Sequence, residues 1–328
     1  MDKQVLTAIK IMVVALLFGL GLFILYRLSQ FIGMVYTSFL LALAIEPVVK
    51  FFSGKILFNK PVPRTVAVFI AYLLVIAVVF GVFTMILPPV VTQLQVLYTV
   101  KLPYIGSIRQ LVESSSVDFE KFYSNAFFLT VSVFSNFLLI ITAMVVSLYI
   151  SIEWLNLKKK VVKITPKKYK TEIEETLIEI EQSVGNWAKG QLILMLVIGL
   201  ASITGLLILD VDYALSLGLL SGLLEFVPLI GPIVTAILGF FIGLSISPVK
   251  AIAIVALFIL IQQLESNLLV PKVMHKVSGF SPLLVLLAVL VGTEFYGVIG
   301  ALIVIPTFMI GAIIVKRALK YSTILESE

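Results

Sequence analysis

Cysteine is absent from the 328-residue chain, and histidine occurs once, at His275. The first absence excludes disulfides, thiolate metal sites and a cysteine nucleophile, and the second leaves no histidine cluster for a metal centre or a triad. Charge is scarce as well. Asp, Glu, Lys and Arg make up 13% of the residues, against about a quarter in a soluble domain. Residues 65–100, 127–152, 191–209, 226–249 and 295–315 hold none of them. With no nucleophile, metal cluster or phosphate loop, an enzyme is the weakest reading, and no cofactor is implied beyond a transported ion. No aromatic-plus-basic motif points to nucleic acid, so the net charge of +6, carried mostly on short loops and ends, reads as topology.

What fills the chain is apolar: 60% of the residues, with a mean hydropathy of +1.16. Several of the charge-free runs exceed the ~20 residues that cross a bilayer as a helix. The sequence therefore predicts an all-α polytopic membrane protein of the plasma membrane, with broken or re-entrant hairpins in its C-terminal half. Residues 1–152 read as N-terminal spans. The first, at 5–26, follows Lys3 and Lys10; a cleaved leader competes, but no small-x-small site follows, so an uncleaved span is expected. A second span at 28–52 returns the chain, with Pro47 expected to kink or end it. Lys50, Lys55, Lys60 and Arg64 then place this loop and the N-terminus in the cytoplasm. A third span starts at Thr65 and is expected to stop at Leu87 before Pro88-Pro89. Residues 90–125 carry balanced charge and suit short helices on the outer side, with a turn at Ser114-Ser115-Ser116, and 127–152 cross back.

Residues 153–189 form the one charged region, lysine-rich from Lys158 to Lys170 and acidic from Glu172 to Glu181. Thr165-Pro166 reads as an N-cap and a first-turn proline. Ile173, Leu177, Ile180, Val184 and Trp187 then fall on one stripe, predicting an amphipathic cytoplasmic helix. The lysine run either meets anionic headgroups or is a solvated loop obeying the positive-inside rule, the plainer of the two. The acidic face is a candidate partner surface.

Residues 190–328 read as a C-terminal core. A span at 190–209 leads to Asp210 and Asp212; a half-length run at 213–224 then breaks at Glu225-Phe-Val-Pro-Leu-Ile-Gly-Pro232 before 233–247. Residues 250–268 follow. Residues 282–292 are half-length again, broken at Gly292-Thr293-Glu294 before a last span at 296–315, and Lys316, Arg317 and Lys320 place the C-terminus inside. Hairpins at 213–247 and 282–315 would enter from opposite faces, as broken-helix pairs do where transport sites sit at mid-membrane. Carboxylates in such segments are costly unless used. The candidate site is therefore Glu225, Glu265 and Glu294, with Gln262 and Asn267 as polar neighbours and the opened backbone around Pro228, Gly231 and Pro232 as oxygen donors for sodium. Each has a plainer role: Glu225 as a wetted helix end, Glu265 as a cap or a partner of Lys272, Glu294 as an exposed turn, the amides as interhelical bonds. Recurring small residues, Ala214, Gly218, Gly222 and Gly231, Thr235, Gly239, Gly243, read as close helix packing.

Glu225 to Pro232, Gln262 with Glu265-Ser-Asn267-Leu-Leu-Val-Pro271-Lys272, Ser281-Pro282 and Gly292 to Pro306 closely resemble signature blocks of the autoinducer-2 exporter (AI-2E) family of membrane transporters. Trp187-x-x-Gly190-Gln191, Pro88-Pro89 with Gln93, Pro63-Arg64 and Ile45-Glu46-Pro47 extend the resemblance over nearly the whole chain. Leu229 stands where the family pattern has Tyr, which removes a hydroxyl. The resemblance implies a secondary transporter of about eight spans and a homo-oligomer, with a pentamer as one candidate. Its activities divide between sodium(lithium)/proton antiport and export of a small polar signalling molecule. Buried carboxylates favour the first, neighbouring amides the second, and the amphipathic helix alone would suit a non-transporting scaffold.

Overall fold

The computed structural model describes residues 3–57, 60–99, 137–227, 230–274 and 282–326. Helix dominates because a chain in lipid must satisfy its backbone groups within each segment. Four long helices come first: α1 (Lys3–Ser53), α2 (Arg64–Thr99), α3 (Phe137–Ile164) and α4 (Lys170–Ile208). Two short ones follow, α5 (Ala214–Leu224) and α6 (Ile230–Ile246). α7 (Pro248–Leu264) passes through a π-helical turn, Glu265–Leu269, into α8 (Val270–Met274). α9 (Pro282–Glu326) is interrupted by non-helical backbone at Tyr296 and Gly297. Ile56–Leu57 and Lys60–Pro61 pair as a two-residue antiparallel ribbon between α1 and α2. Among the described residues, six helical segments are long and apolar enough to cross a bilayer, and four shorter apolar ones accompany them. The chain is an all-α polytopic membrane protein.

The N-terminal half departs from the sequence-based expectation in three places. Instead of two antiparallel spans at 5–26 and 28–52, α1 is one helix of 51 residues, about 76 Å long at 1.5 Å per residue. Its middle, Arg27-Leu28-Ser29-Gln30, holds neither Gly nor Pro to break it. The crossing that would return residue 53 to the side of Lys3 is therefore missing. Pro47 lies inside α1 without ending it. α2 likewise continues past positions 88–89 to Thr99, since a proline removes one N–H that neighbouring groups can replace. Thr165 is not an N-cap: its hydroxyl donates to the Val161 carbonyl at 2.8 Å. Pro166 precedes a single 3-10 turn, Lys167–Tyr169, and α4 starts only at Lys170. Most of the expected outer segment at 90–125, and His275, lie outside the described residues.

α4 is the central helix. The predicted stripe is its buried face, with Ile180, Val184 and Trp187 in the interior. One apolar cluster joins its C-terminal half to α5, α6 and α7 through Ile198, Leu206, Leu217, Ile242, Ile254 and Phe258. A second joins Trp187 and Leu194 to Ala288, Val304 and Met309 of α9. Burying such side chains stabilises by roughly 1.5–3 kcal/mol each where the alternative is water.

Two helical hairpins lie in this half. Ala214 at the start of α5 shares a cluster with Ile242 near the end of α6, while Gly231 at the start of α6 lies against Ser221 and Glu225 at the end of α5. These helices have 11 and 17 residues, about 16 and 25 Å, short of the ~30 Å hydrocarbon core. In α9, Gly292 faces the Gly300 carbonyl and Ala288 clusters with Val304, so the two limbs double back at Tyr296-Gly297. The break thus falls beyond the expected Gly292-Thr293-Glu294, which is helical. Gly292 serves close packing, and the residue with positive φ, +58°, is Gly297.

Candidate functional site

The break after α5 turns a carboxylate inward. The Glu225 N–H still bonds the Ser221 carbonyl at 3.0 Å, and two further tight turns carry Phe226 and Val227 away from the helix axis. Glu225 is fully buried at 0% exposure, with Phe226 edge-on to Trp187 of α4 at 6.1 Å. Gly231 allows the first turn of α6 to close over it. A Cβ there would sit 2.8 Å from the Glu225 nitrogen and 3.0 Å from its Oε2, so a larger residue would push the two limbs apart.

Glu265 reaches the same place from α7. It opens the π-helical turn, where one extra residue per turn shifts the register and swings the side chain inward. At 2% exposure it is buried, and its carboxyl lies against that of Glu225. Gln262, one turn earlier, donates from Nε2 to Glu265 Oε2 at 3.3 Å. From the third side Gln191 of α4, 1% exposed, donates its Nε2 to the Glu225 backbone carbonyl. The two amide oxygens, Gln191 Oε1 and Gln262 Oε1, are buried with no hydrogen-bond partner among the described residues. Ser202 and Ser221, joined at 3.2 Å, and Thr235, bonded to the Gly231 carbonyl at 2.9 Å, extend this polar seam through the apolar core.

The structure therefore brings together Glu225, Gly231, Gln262 and Glu265, with Pro232 buried in the first turn of α6. Asn267 is exposed and donates to Gln263 at 3.0 Å, on the other side of the π turn. Glu294 is exposed on the first limb of α9. Pro228 lies outside the described residues. Gln191 was not among the expected site residues: in sequence it stood in the Trp187-x-x-Gly190-Gln191 block and as an amide opening a charge-free span, signals too general to single it out.

Other buried acids are satisfied differently. Glu46 of α1 takes a two-pronged bond from Arg64 of α2, both contacts at 2.8 Å, and Arg64 also donates to the Ser151 carbonyl of α3 at 2.8 Å. Tyr72 bonds Ser147 and Ser151 alongside. Glu181 of α4 accepts from Lys50, Lys158 and the Trp154 indole, each at 2.5 Å. These acids face cations. The Glu225–Glu265 pair faces its own kind, with two amide oxygens beside it. Three-group clusters of His, Cys, Asp and Glu suited to a resident metal are absent among the described residues.

The sequence matches the family described as AI-2E family transporter over residues 11–320. It is 26% identical over 282 residues to a protein of Bacillus subtilis (strain 168) named "Putative transport protein YueF", covering 77% of this chain and 76% of that one. "Putative transport protein YrrI" of the same organism is 29% identical over 168 residues, 51% of this chain and 47% of that protein. "Putative transport protein sll0063" of Synechocystis sp. is 29% identical over 154 residues, 47% of this chain and 37% of that protein. The alignments thus span about three quarters of the first relative and less than half of the other two.

Proposed function

Because the chain belongs to the AI-2E transporter family, we propose that it is a secondary transporter exchanging sodium or lithium ions for protons through the Glu225–Glu265 pair. The observation that carries this reading is the meeting of two fully buried carboxyls, flanked by two amide oxygens without partners among the described residues. Two carboxyls buried against each other avoid like-charge repulsion only if one holds a proton. Losing that proton leaves two like charges in a low-dielectric site, which is costly unless another cation replaces it. A hard monovalent cation takes oxygen ligands, and the carboxyl oxygens with Gln191 Oε1 and Gln262 Oε1 form such a set. Proton and cation then compete for one negatively charged place, which is the minimal requirement for exchange. The site comprises Glu225, Gly231, Gln262 and Glu265, with Gln191 added, and leaves out Asn267 and Glu294.

In this reading the protein is a multi-pass homo-oligomer of the plasma membrane, with the C-terminus on the cytoplasmic face. Lys50, Lys158, Glu181 and Arg317 meet on one face of the bundle, which supports that orientation through the positive-inside rule.

Reconstituted vesicles carrying an imposed pH gradient should lose it when sodium or lithium is added. Glu225→Gln and Glu265→Gln should each slow the response at least about ten-fold, since each removes the only group able to exchange charge at that position. An unresponsive wild type, or a double variant as active as wild type, would overturn the proposal. Efflux of a small polar solute without any ion response would favour the export reading.

A further inference from the structure

α3 and α4 meet in a groove just beyond the bilayer. On α3, Leu155, Lys159 and Lys163 recur every four residues; on α4, Lys170, Glu174 and Ile178 do the same, so each helix presents one face to the other. The space between them is about 430 Å³. Its apolar wall comes from Leu155, Val162, Leu177 and Ile178, and its charge from Lys158, Lys159, Lys163 and Lys170 against Glu174. Nearby carboxylates do not balance the remainder. Glu181 already accepts from both Lys158 and Lys50. Glu172, Glu175 and Glu179 point to Arg317 of α9 instead, at 3.2, 2.7 and 2.7 Å. Three acids of α4, Glu172, Glu175 and Glu179, thus face α9, and in the groove Lys159, Lys163 and Lys170 outnumber Glu174.

Position adds to chemistry. The charge-free run of α3 ends at Ile152, so Leu155 lies in the headgroup layer, and Lys163 lies about 12 Å further out at 1.5 Å per residue. An ordinary solvated loop needs no apolar wall, and an acyl chain needs no lysines. We propose that this groove binds a phosphate-bearing anion carried on an apolar body, which on this face is supplied either by the headgroup region of an anionic phospholipid or by a soluble phosphate compound.

The test is equilibrium binding to the purified full-length protein of three probes: short-chain phosphatidylglycerol, short-chain phosphatidylcholine and inorganic pyrophosphate. Binding of phosphatidylglycerol but not phosphatidylcholine is expected. The exposed or half-exposed lysines can be changed without disturbing the core. Lys159→Gln, Lys163→Gln and Lys170→Gln together should weaken binding on the order of a hundred-fold, at about five-fold for each lysine. Lys160→Gln, Lys167→Gln and Lys168→Gln together remove equal charge from the same face outside the groove and should weaken it far less. Pyrophosphate binding that depends on the groove lysines, without phosphatidylglycerol binding, would support the site and name the soluble source. Equal loss in both triple variants, or phosphatidylcholine binding as tightly as phosphatidylglycerol, would overturn the proposal.

Discussion

Glu46, Glu181 and Glu225 are all buried, yet their neighbours give them different work. Glu46 and Arg64 form a two-pronged pair tying α1 to α2, and the guanidinium's third contact, to Ser151, adds α3. A buried pair of this kind is worth little net, but removing one partner strands the other. Arg64→Ala should therefore destabilise the purified protein by about 3–5 kcal/mol, and Glu46→Ala combined with it by clearly less than the sum of the two single changes. Thermal unfolding in detergent measures both, and strict additivity would remove the pair from its structural role. Glu225 meets another acid, Glu265, so its substitution by Gln should spare stability while slowing exchange. That contrast separates the transport group from the anchoring one. Glu46 and Glu225 are alike in sequence, each a lone acid within three residues of a following proline; the positions of Arg64 and Glu265 distinguish them.

Both hairpins of the C-terminal half depend on backbone that a regular helix does not supply. At Gly297, φ is +58° and ψ is −141°, a region essentially closed to residues with a Cβ. Gly297→Ala should cost about 1–3 kcal/mol through that strain, visible as a lowered unfolding temperature in the purified protein. Gly292→Ala, by contrast, should act through collision with the Gly300 carbonyl. If Gly297→Ala unfolds at the wild-type temperature, the reversal does not sit there. The first hairpin was legible because a carboxylate and two prolines interrupt an apolar run. The second was placed five residues early, because Gly292 and Gly297 look alike until packing assigns one to close contact and the other to positive φ. α1 was misread for the opposite reason: Arg27, between the two expected spans, is polar but a good helix former.

Among the described residues, ion pairs gather toward one end of α4. Lys50, Lys158, Glu181, Arg317 and the acids of α4 lie together, while Asp210 and Lys250 pair at 3.2 Å beyond the other end of α4. The native chain has no cysteine, so any introduced thiol is unique. Lys168→Cys should react with an impermeant maleimide only from the cytoplasmic side, and Asp210→Cys only from outside. Labelling of both from one side would reject the orientation.

Membrane class, helical content and the interruption at Glu225 to Pro232 follow from composition and periodicity, because lipid penalises charge and unpaired backbone wherever they occur along a chain. The meeting of Glu225 with Glu265, forty positions away, does not. Nor does the exclusion of Asn267, two residues from Glu265. Those depend on how α4, α5, α6 and α7 pack and on a π turn that shifts side-chain register, and proximity between helices is a property of packing that no single helix encodes.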